Sequence, residues 1–226
     1  MSRLSGHVRN EEDDRSERTR DFSGLFDPST HLCGLVDDTL QGSRAVRLRL
    51  ADQGEILLCP RRRRYHDLST SIAGVHASPR EPFRVEPLSA EEQRSWFSEP
   101  AGGRPVDELL WSTALYASAG RLTLGISMTD VLQLTRWPNL PRVPRTPNTA
   151  RIAALLSCQP SSLTGIRGHL RVPRGEIAQV LSAALAAGYL RFVNRTESTA
   201  PPPEAESASL IGRLLRKLTG RTGAAA

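Results

Sequence analysis

The chain has 226 residues, of which 38% are hydrophobic, and it carries a formal net charge of +6. That length suits one large domain or two small ones, and no run of about 18 apolar residues is present that would cross a membrane. The N-terminal residues lack the apolar stretch of a secretory signal, so we expect a cytoplasmic protein. The basic balance permits an anionic partner, such as nucleic acid, nucleotide, acidic protein or lipid surface, but it selects none of them.

Residues 1–22 are almost wholly polar, which predicts a disordered N-terminal tail. From 23 to 136 the pattern predicts a small unit of helices and antiparallel strands. Asp27 and Pro28 begin a helix that ends at Gly42. Strands are expected at 46–50, 55–59 and 63–68, and a further one in "PFRVEPL", whose flanking prolines suit only the edge of a sheet.

Two helices and two further strands complete this unit. Ser89 followed by acids predicts a short capped helix over 89–97, and "VDELLWSTALYASAG" predicts a longer helix that ends at Gly120. The segments "RLTLGIS" and "DVLQLTRW" are predicted to be strands. The four prolines of "WPNLPRVPRTPN" then predict an extended connector, 137–147, which Trp137 is expected to pin to a core.

Residues 148–194 contain three helical patterns followed by a strand. Helices are expected in "NTARIAALLS", "SLTGIRGHL" and "PRGEIAQVLSAALAAG", and the strand in "YLRFV". This order is that of a helix-turn-helix with a trailing strand, so we predict a winged-helix-like domain. The predicted fold class is therefore α+β, a small helix-plus-antiparallel-sheet unit followed by a winged-helix-like helical domain.

The last part of the sequence contains a polar, proline-rich linker, 195–206, a basic amphipathic helix, 207–220, and a tail, 221–226. Because the helix is too short to be stable alone, it is expected to fold when it docks. Docking on a partner or on the chain itself is favoured, and weak peripheral contact with an anionic membrane is the alternative. Its apolar residues are Leu210, Ile211, Leu214, Leu215 and Leu218, and its basic residues are Arg213, Arg216 and Lys217.

Groups that would support catalysis or hold a metal are scattered along the sequence. The five histidines lack metal-ligand spacing, no Gly-rich phosphate loop or G-x-S-x-G elbow is present, and the cysteines form no Cys-x-x-Cys pair. We therefore expect no enzyme activity, no cofactor and no metal. Cys33, Cys59 and Cys158 each lie in or beside an apolar run, and we interpret them as buried, reduced thiols.

A run of four arginines, "RRRR", lies at a predicted hairpin turn. Guanidinium groups bind phosphates in a bidentate manner and stack on bases, so a clamp for an anion or a nucleotide is one interpretation. A solvated, charged turn is the other. The candidate anion-binding residues are Arg61, Arg62, Arg63 and Arg64.

The third helix of 148–194 bears on whether the partner is DNA or protein. Its first turn offers one cation, Arg174, with Glu176 two residues away, and much of the remainder is alanine and aliphatic. A surface of this kind is poor in groups that read bases but permits close packing against a protein. Protein is therefore favoured over nucleic acid, for which Arg167, Arg171 and Arg174 are the candidate contacts.

The order of elements from "HLCGLVDDTLQG" to "CPRRRRYH" resembles the opening of the PATAN domain, in which a helix leads to a strand and then to a G-x-I strand. The resemblance covers roughly residues 24–193, because PATAN domains also carry helical elements and a winged-helix-like end. It implies a role in bacterial two-component signalling or surface motility through protein contacts. The matching positions are Leu32, Leu35, Val46, Leu48, Gly54 and Ile56.

We therefore predict a non-enzymatic bacterial regulatory or adaptor protein that acts by protein–protein interaction, in signalling or surface motility. Two alternatives stay open. One is a winged-helix transcription regulator that binds DNA, and the other is a sensor of cyclic dinucleotides or other nucleotides through the arginine run. The sequence does not predict the oligomeric state.

Overall fold

Seven α-helices and seven β-strands make up the described part of the chain, residues 24–98 and 102–195 of a computed structural model. This arrangement confirms the α+β class predicted from the sequence. The helices are α1 (Leu32–Leu40), α2 (Ile72–Ala77), α3 (Ala90–Phe97), α4 (Val106–Ser118), α5 (Thr149–Cys158), α6 (Leu163–Leu170) and α7 (Arg174–Ala186). The strands are β1 (Val46–Leu50), β2 (Gly54–Cys59), β3 (Arg64–Asp67), β4 (Arg84–Pro87), β5 (Arg104–Pro105), β6 (Leu132–Leu134) and β7 (Leu190–Phe192).

Five strands form an antiparallel sheet in the order β4-β1-β2-β3-β5. Val46 pairs with both Leu58 and Pro87, so β1 lies between β2 and β4. The leucines of β1 are buried on one face, whereas its arginines point to the other. As its prolines predict, β4 is an edge strand.

Two segments of the predicted unit 23–136 differ from the sequence prediction. The pattern does not predict α2, a helix of six residues whose first turn is capped by the Ser71 hydroxyl, which accepts from the Gly74 amide at 3.4 Å. The segment "RLTLGIS" forms no strand, and its backbone pairing is an isolated bridge between Thr123 and Phe26. Glycines with positive φ, at 120 and 125, turn the chain there instead.

Helix α4 is shared by the two main hydrophobic cores. Its first half, with Leu109 and Leu110, packs with α1, α2 and the inner face of the sheet. Trp111 and Leu115 belong to the other core, which β6 and the helices α5, α6 and α7 complete. Within the described residues up to Asn194 the chain is one compact unit, so the predicted segments 23–136, 137–147 and 148–194 share this central helix.

The proline-rich connector is held by α4 rather than by its own tryptophan. Trp137 is 51% exposed, so the prediction that it pins the connector is wrong. The fully buried Trp111 does so instead, because its indole N–H donates to the Pro144 carbonyl at 2.9 Å. The buried carboxylate of Glu108 adds a second anchor, with the Asn139 amide at 3.3 Å and the Arg142 guanidinium at 3.5 Å.

The three helices and the strand predicted over 148–194 are present, and α7 has no fully exposed residue. Strand β7 pairs with β6, which comes before the three helices in the chain. Helix α7 makes its largest contact with α4, where Ala186 packs beside Ala114 and Ala117. Small side chains on both helices allow this close approach.

One further prediction is confirmed only in part, and others fall outside the described residues. Cys33 and Cys59 are buried, but Cys158 is exposed, because it lies two residues after the inward-facing Leu156 and therefore on the outer side of α5. The predicted tail 1–22 and most of the linker lie outside the described residues, as does the amphipathic helix with Leu210 and its neighbours. Among the residues that are described, no helix has the length and apolar character needed to cross a bilayer.

Candidate functional site

Four arginines lie around the junction of α6 and α7, three of them exposed and the fourth, Arg174, half-buried with its guanidinium 3.0 Å from the Met128 sulfur. Arg167 lies in the last turn of α6, Arg171 follows that helix, and Arg174 begins α7. Arg151 of α5 reaches the same place, because its guanidinium donates to the Leu170 carbonyl at 3.0 Å. We call Arg151, Arg167, Arg171 and Arg174 the basic surface.

The sequence explains why α6 ends beside α7. The Ser162 hydroxyl caps the start of α6 by accepting from the Gly165 amide at 3.1 Å. At the other end Arg171 takes a left-handed conformation, with φ at 51°, and its amide donates to the Arg167 carbonyl at 2.9 Å. Pro173 cannot continue α6, so the chain turns and the next helix begins one residue later.

The basic surface has little compensating negative charge in its own part of the sequence. Residues 131–195 contain nine arginines and one acid, Glu176. That carboxylate is engaged by Asn148, which donates from its backbone and side-chain amides at 3.1 Å. Burial, and then repulsion from Arg167, lower the pKa of Arg174. Neighbouring like charges of this kind favour the binding of an anionic partner.

Helix α7 lies beneath this surface and has no exposed residue between 174 and 187. The sequence suggests a small outward-facing alanine surface, but Ala178, Ala183 and Ala184 are fully buried. The first turn is also covered, because a Cβ added at Gly175 would lie 3.6 Å from the Gly120 Cα. A helix that reads bases must enter the major groove with one face exposed, whereas the residues of α7 that are not buried, such as Gln179, are only partly accessible.

The arginine run does not form a four-membered clamp. Arg61 and Arg62 belong to a 3₁₀ turn, Arg63 is left-handed with φ at 50°, and Arg64 is the first residue of β3. The guanidinium of Arg62 donates to the Phe97 carbonyl at the end of α3. A pocket beside this contact is lined by two arginines, of which Arg62 belongs to the run and Arg94 to α3.

A buried chain of hydrogen bonds joins β3, α2 and α4, and sequence reasoning misses it. The His76 ring is 2.9 Å from an Asp67 carboxylate oxygen through Nε2 and 2.6 Å from the Ser112 hydroxyl through Nδ1. Burial raises the pKa of Asp67, but hydrogen bonds from His76 and Ser69 outweigh it and hold that pKa below its usual value. No sequence motif indicates this hydrogen-bond network, because His76 is 9 residues from Asp67 and 36 residues from Ser112.

These are the residue types of a hydrolase triad, but their burial points to a structural role. His76 is 1% and Ser112 is 3% exposed, so a substrate has no access to the hydroxyl. A nucleophile must reach its substrate to react, whereas a sealed, satisfied network fixes packing. Within the described residues, no group of three or more His, Cys, Asp or Glu side chains is placed to hold a metal ion.

Comparison with protein-family models, with curated proteins and with solved structures finds no match for this chain. The PATAN-like and winged-helix-like resemblances therefore stay predictions from the sequence. The partner has to be inferred from the chemistry of the surface.

Proposed function

We propose that this protein is a non-enzymatic regulatory adaptor that binds an acidic protein partner through the basic surface. The observation that carries the proposal is the burial of α7 directly beneath that surface. In this helix-turn-helix the arginines around α6 remain available for surface contacts. Helix α7, which would read the DNA major groove, has no exposed residue with which to do so. The cytoplasmic location and the role in signalling or motility implied by the PATAN resemblance belong to the same proposal.

The exposed side of α6 supports contact with a protein. Thr164 and Gly168 lie on it beside Arg167, and all three are exposed. Nothing lies within 4 Å of a Cβ built at Gly168, so a partner can approach the α6 backbone closely. Arginine is enriched at protein interfaces, because its planar guanidinium makes several hydrogen bonds and its stem packs against apolar groups.

Photo-crosslinking tests this proposal. A crosslinking amino acid at position 168 of the full chain, in cells that produce the protein, is expected to capture a defined protein with an acidic surface. The same group at Asp52, in the exposed β1–β2 turn, should not capture it. Arg167→Glu with Arg171→Glu should abolish capture.

The matched control for that charge reversal is Arg61→Glu with Arg63→Glu, which makes the same change at two exposed arginines elsewhere. Capture should survive in this control. If both double variants lose the partner equally, the total charge of the protein is responsible and the basic surface is not the binding site.

The amphipathic segment 207–220 is a second contact within the same proposal. Its five apolar residues and three cations match a helix that folds in a partner's groove. Deleting 207–219 is expected to remove a partner from a pull-down while the circular dichroism of the remaining chain keeps its shape. An unchanged set of partners would assign no binding role to this segment.

Nucleic acid is the second candidate, favoured by the exposed Arg151, Arg167 and Arg171; Arg136 and Arg142 are paired with acids of α4. Binding would use phosphate contacts and would therefore depend steeply on salt. Fluorescence anisotropy with a DNA duplex of random sequence tests it, and Arg167→Ala with Arg171→Ala should reduce the salt slope by about 2. No binding at low salt would exclude this candidate.

A further inference from the structure

A small surface pocket lies between the 3₁₀ turn Pro60–Arg62 and one face of α3. Its volume is about 260 Å³. Four of the lining residues recur along α3 at helical spacing, so a single face of that helix forms one wall. The lining residues are Arg62, Ala90, Gln93, Arg94, Phe97 and Ser98.

Two guanidinium groups are held in place at this pocket by backbone carbonyls. Arg62 donates from Nη1 to the Phe97 carbonyl at the end of α3. Arg94 donates from Nε to the Ala90 carbonyl at 3.2 Å. A guanidinium has five N–H donors, so each of these arginines keeps further donors for a ligand. One guanidinium binds a phosphate through two parallel N–H bonds, and a second arginine adds a further charge-assisted contact to the same group.

The remaining lining is neutral. The Gln93 amide and the Ser98 hydroxyl add hydrogen-bond donors, and the buried Phe97 ring packs into the small core on the outer face of the sheet. None of the described lining residues is acidic. The nearby carboxylate of Glu92 is bound to Arg47 at 2.8 Å and to the Ser89 amide at 2.9 Å, on another side of α3.

We propose that this pocket binds a small phosphorylated metabolite, with its phosphate held between Arg62 and Arg94. The pocket is smaller than the roughly 300–1,000 Å³ of typical sites for larger ligands, so it suits one phosphate group with a small organic part. The site differs from a clamp of four consecutive arginines, because it takes Arg62 alone from the run and its other polar residues from α3.

Isothermal titration calorimetry of the full chain tests this site, with inorganic phosphate, AMP and cyclic di-GMP as probes. We expect saturable binding of phosphate and AMP. Arg94→Ala should weaken it by roughly tenfold or more, because one charge-assisted contact is lost. Arg62→Ala should do the same, and Arg94→Ala keeps the test valid if loss of the Arg62 contact to α3 disturbs the fold.

Arg61→Ala is the matched control, because it removes the same charge from the neighbouring residue, which does not line the pocket. Its binding should stay within about twofold of that of the unchanged protein. Three results would overturn the proposal: no saturable heat with any probe, equal weakening in Arg61→Ala, or binding of cyclic di-GMP alone.

Discussion

Replacing His76 by leucine tests whether the buried hydrogen-bond chain holds α2 in place. The ring contacts Asp67 at 2.9 Å on one side and Ser112 at 2.6 Å on the other, and all of it lies inside the protein. Leucine fills much of the same space but can make neither bond. The variant therefore leaves a carboxylate and a hydroxyl without their partner.

The cost can be worked from these two contacts. Loss of a hydrogen bond to a charged group costs about 1.5–3 kcal/mol, and an unsatisfied buried hydroxyl costs about 1–3 kcal/mol. The more apolar leucine offsets about 1 kcal/mol of this. We therefore expect His76→Leu to lower the free energy of unfolding by about 1.5–5 kcal/mol, a large part of the 5–15 kcal/mol typical of a domain.

Urea denaturation followed by tryptophan fluorescence, to which the buried Trp111 contributes, measures this change. His169→Leu is the matched control, because His169 is exposed and its ring nitrogen meets only the Gly165 carbonyl of its own helix. The control should stay within about 0.5 kcal/mol of the unchanged protein. A cost below about 1 kcal/mol for His76→Leu would refute the reasoning, since it would mean that the two bonds do not form.

Three further predictions concern single residues. The pKa of Asp67 is lowered in the folded protein, so its ionised carboxylate stabilises the fold at pH values above the unfolded pKa of about 3.9. This contribution is lost as pH falls through the folded pKa, so Asp67→Asn should lower the free energy of unfolding less at pH 3 than at pH 7. Equal losses at the two pH values, measured by urea denaturation, would contradict it. Gly120→Ala should lower the free energy of unfolding by about 1–2 kcal/mol because the φ angle of Gly120 is +85°. Gly175→Ala should be neutral or slightly stabilising. Similar thermal melting points for the two variants would be inconsistent with this backbone geometry. Trp111→Phe should lower the free energy of unfolding by about 1–3 kcal/mol, because the hydrogen bond to Pro144 is lost. Trp137→Phe, at an exposed position, should lower it by less than about 0.5 kcal/mol. The reverse order in chemical denaturation would argue against Trp111 as the anchor of the connector.

Elements with a clear hydrophobic period or a cap can be predicted from the sequence. The alternation in "VRLRL" gives β1, and Ser89 with Glu92 forms the capping box that begins α3. The prolines around β4 correctly place it at the edge of the sheet. Helix α2 is missed because six residues carry too little periodicity, and "RLTLGIS" is misjudged because its alternation competes with two glycines that turn the chain.

The burial of α7 cannot be predicted from the sequence, because alanine is common both on exposed helix surfaces and between closely packed helices. Ala183 and Ala184 are inside only because α4 packs against them, and α4 is separated from α7 by more than fifty residues. The same non-local cause hides the role of Trp111. Trp137 lies within the connector and looks like its anchor, whereas the anchor comes from a helix that precedes it.

The candidate sites are predicted to different extents. Three of the arginines of the basic surface, Arg167, Arg171 and Arg174, can be chosen from their position around a helix-turn-helix. Arg151 cannot, because its place depends on a bond to the end of another helix. For the pocket, the run of arginines suggests anion binding, but Arg94 is separated from it in sequence and joins only through the packing of α3.

Digestion of a crosslinked complex tests the central claim most directly. The full chain with a photo-crosslinker at position 168 is irradiated in cells, and the shifted band is then treated with nuclease or with protease. The account predicts a band that resists nuclease, is degraded by protease, and is absent from Arg167→Glu with Arg171→Glu. A band that collapses with nuclease, or one that persists in this double variant, would contradict an adaptor that binds protein through its basic surface.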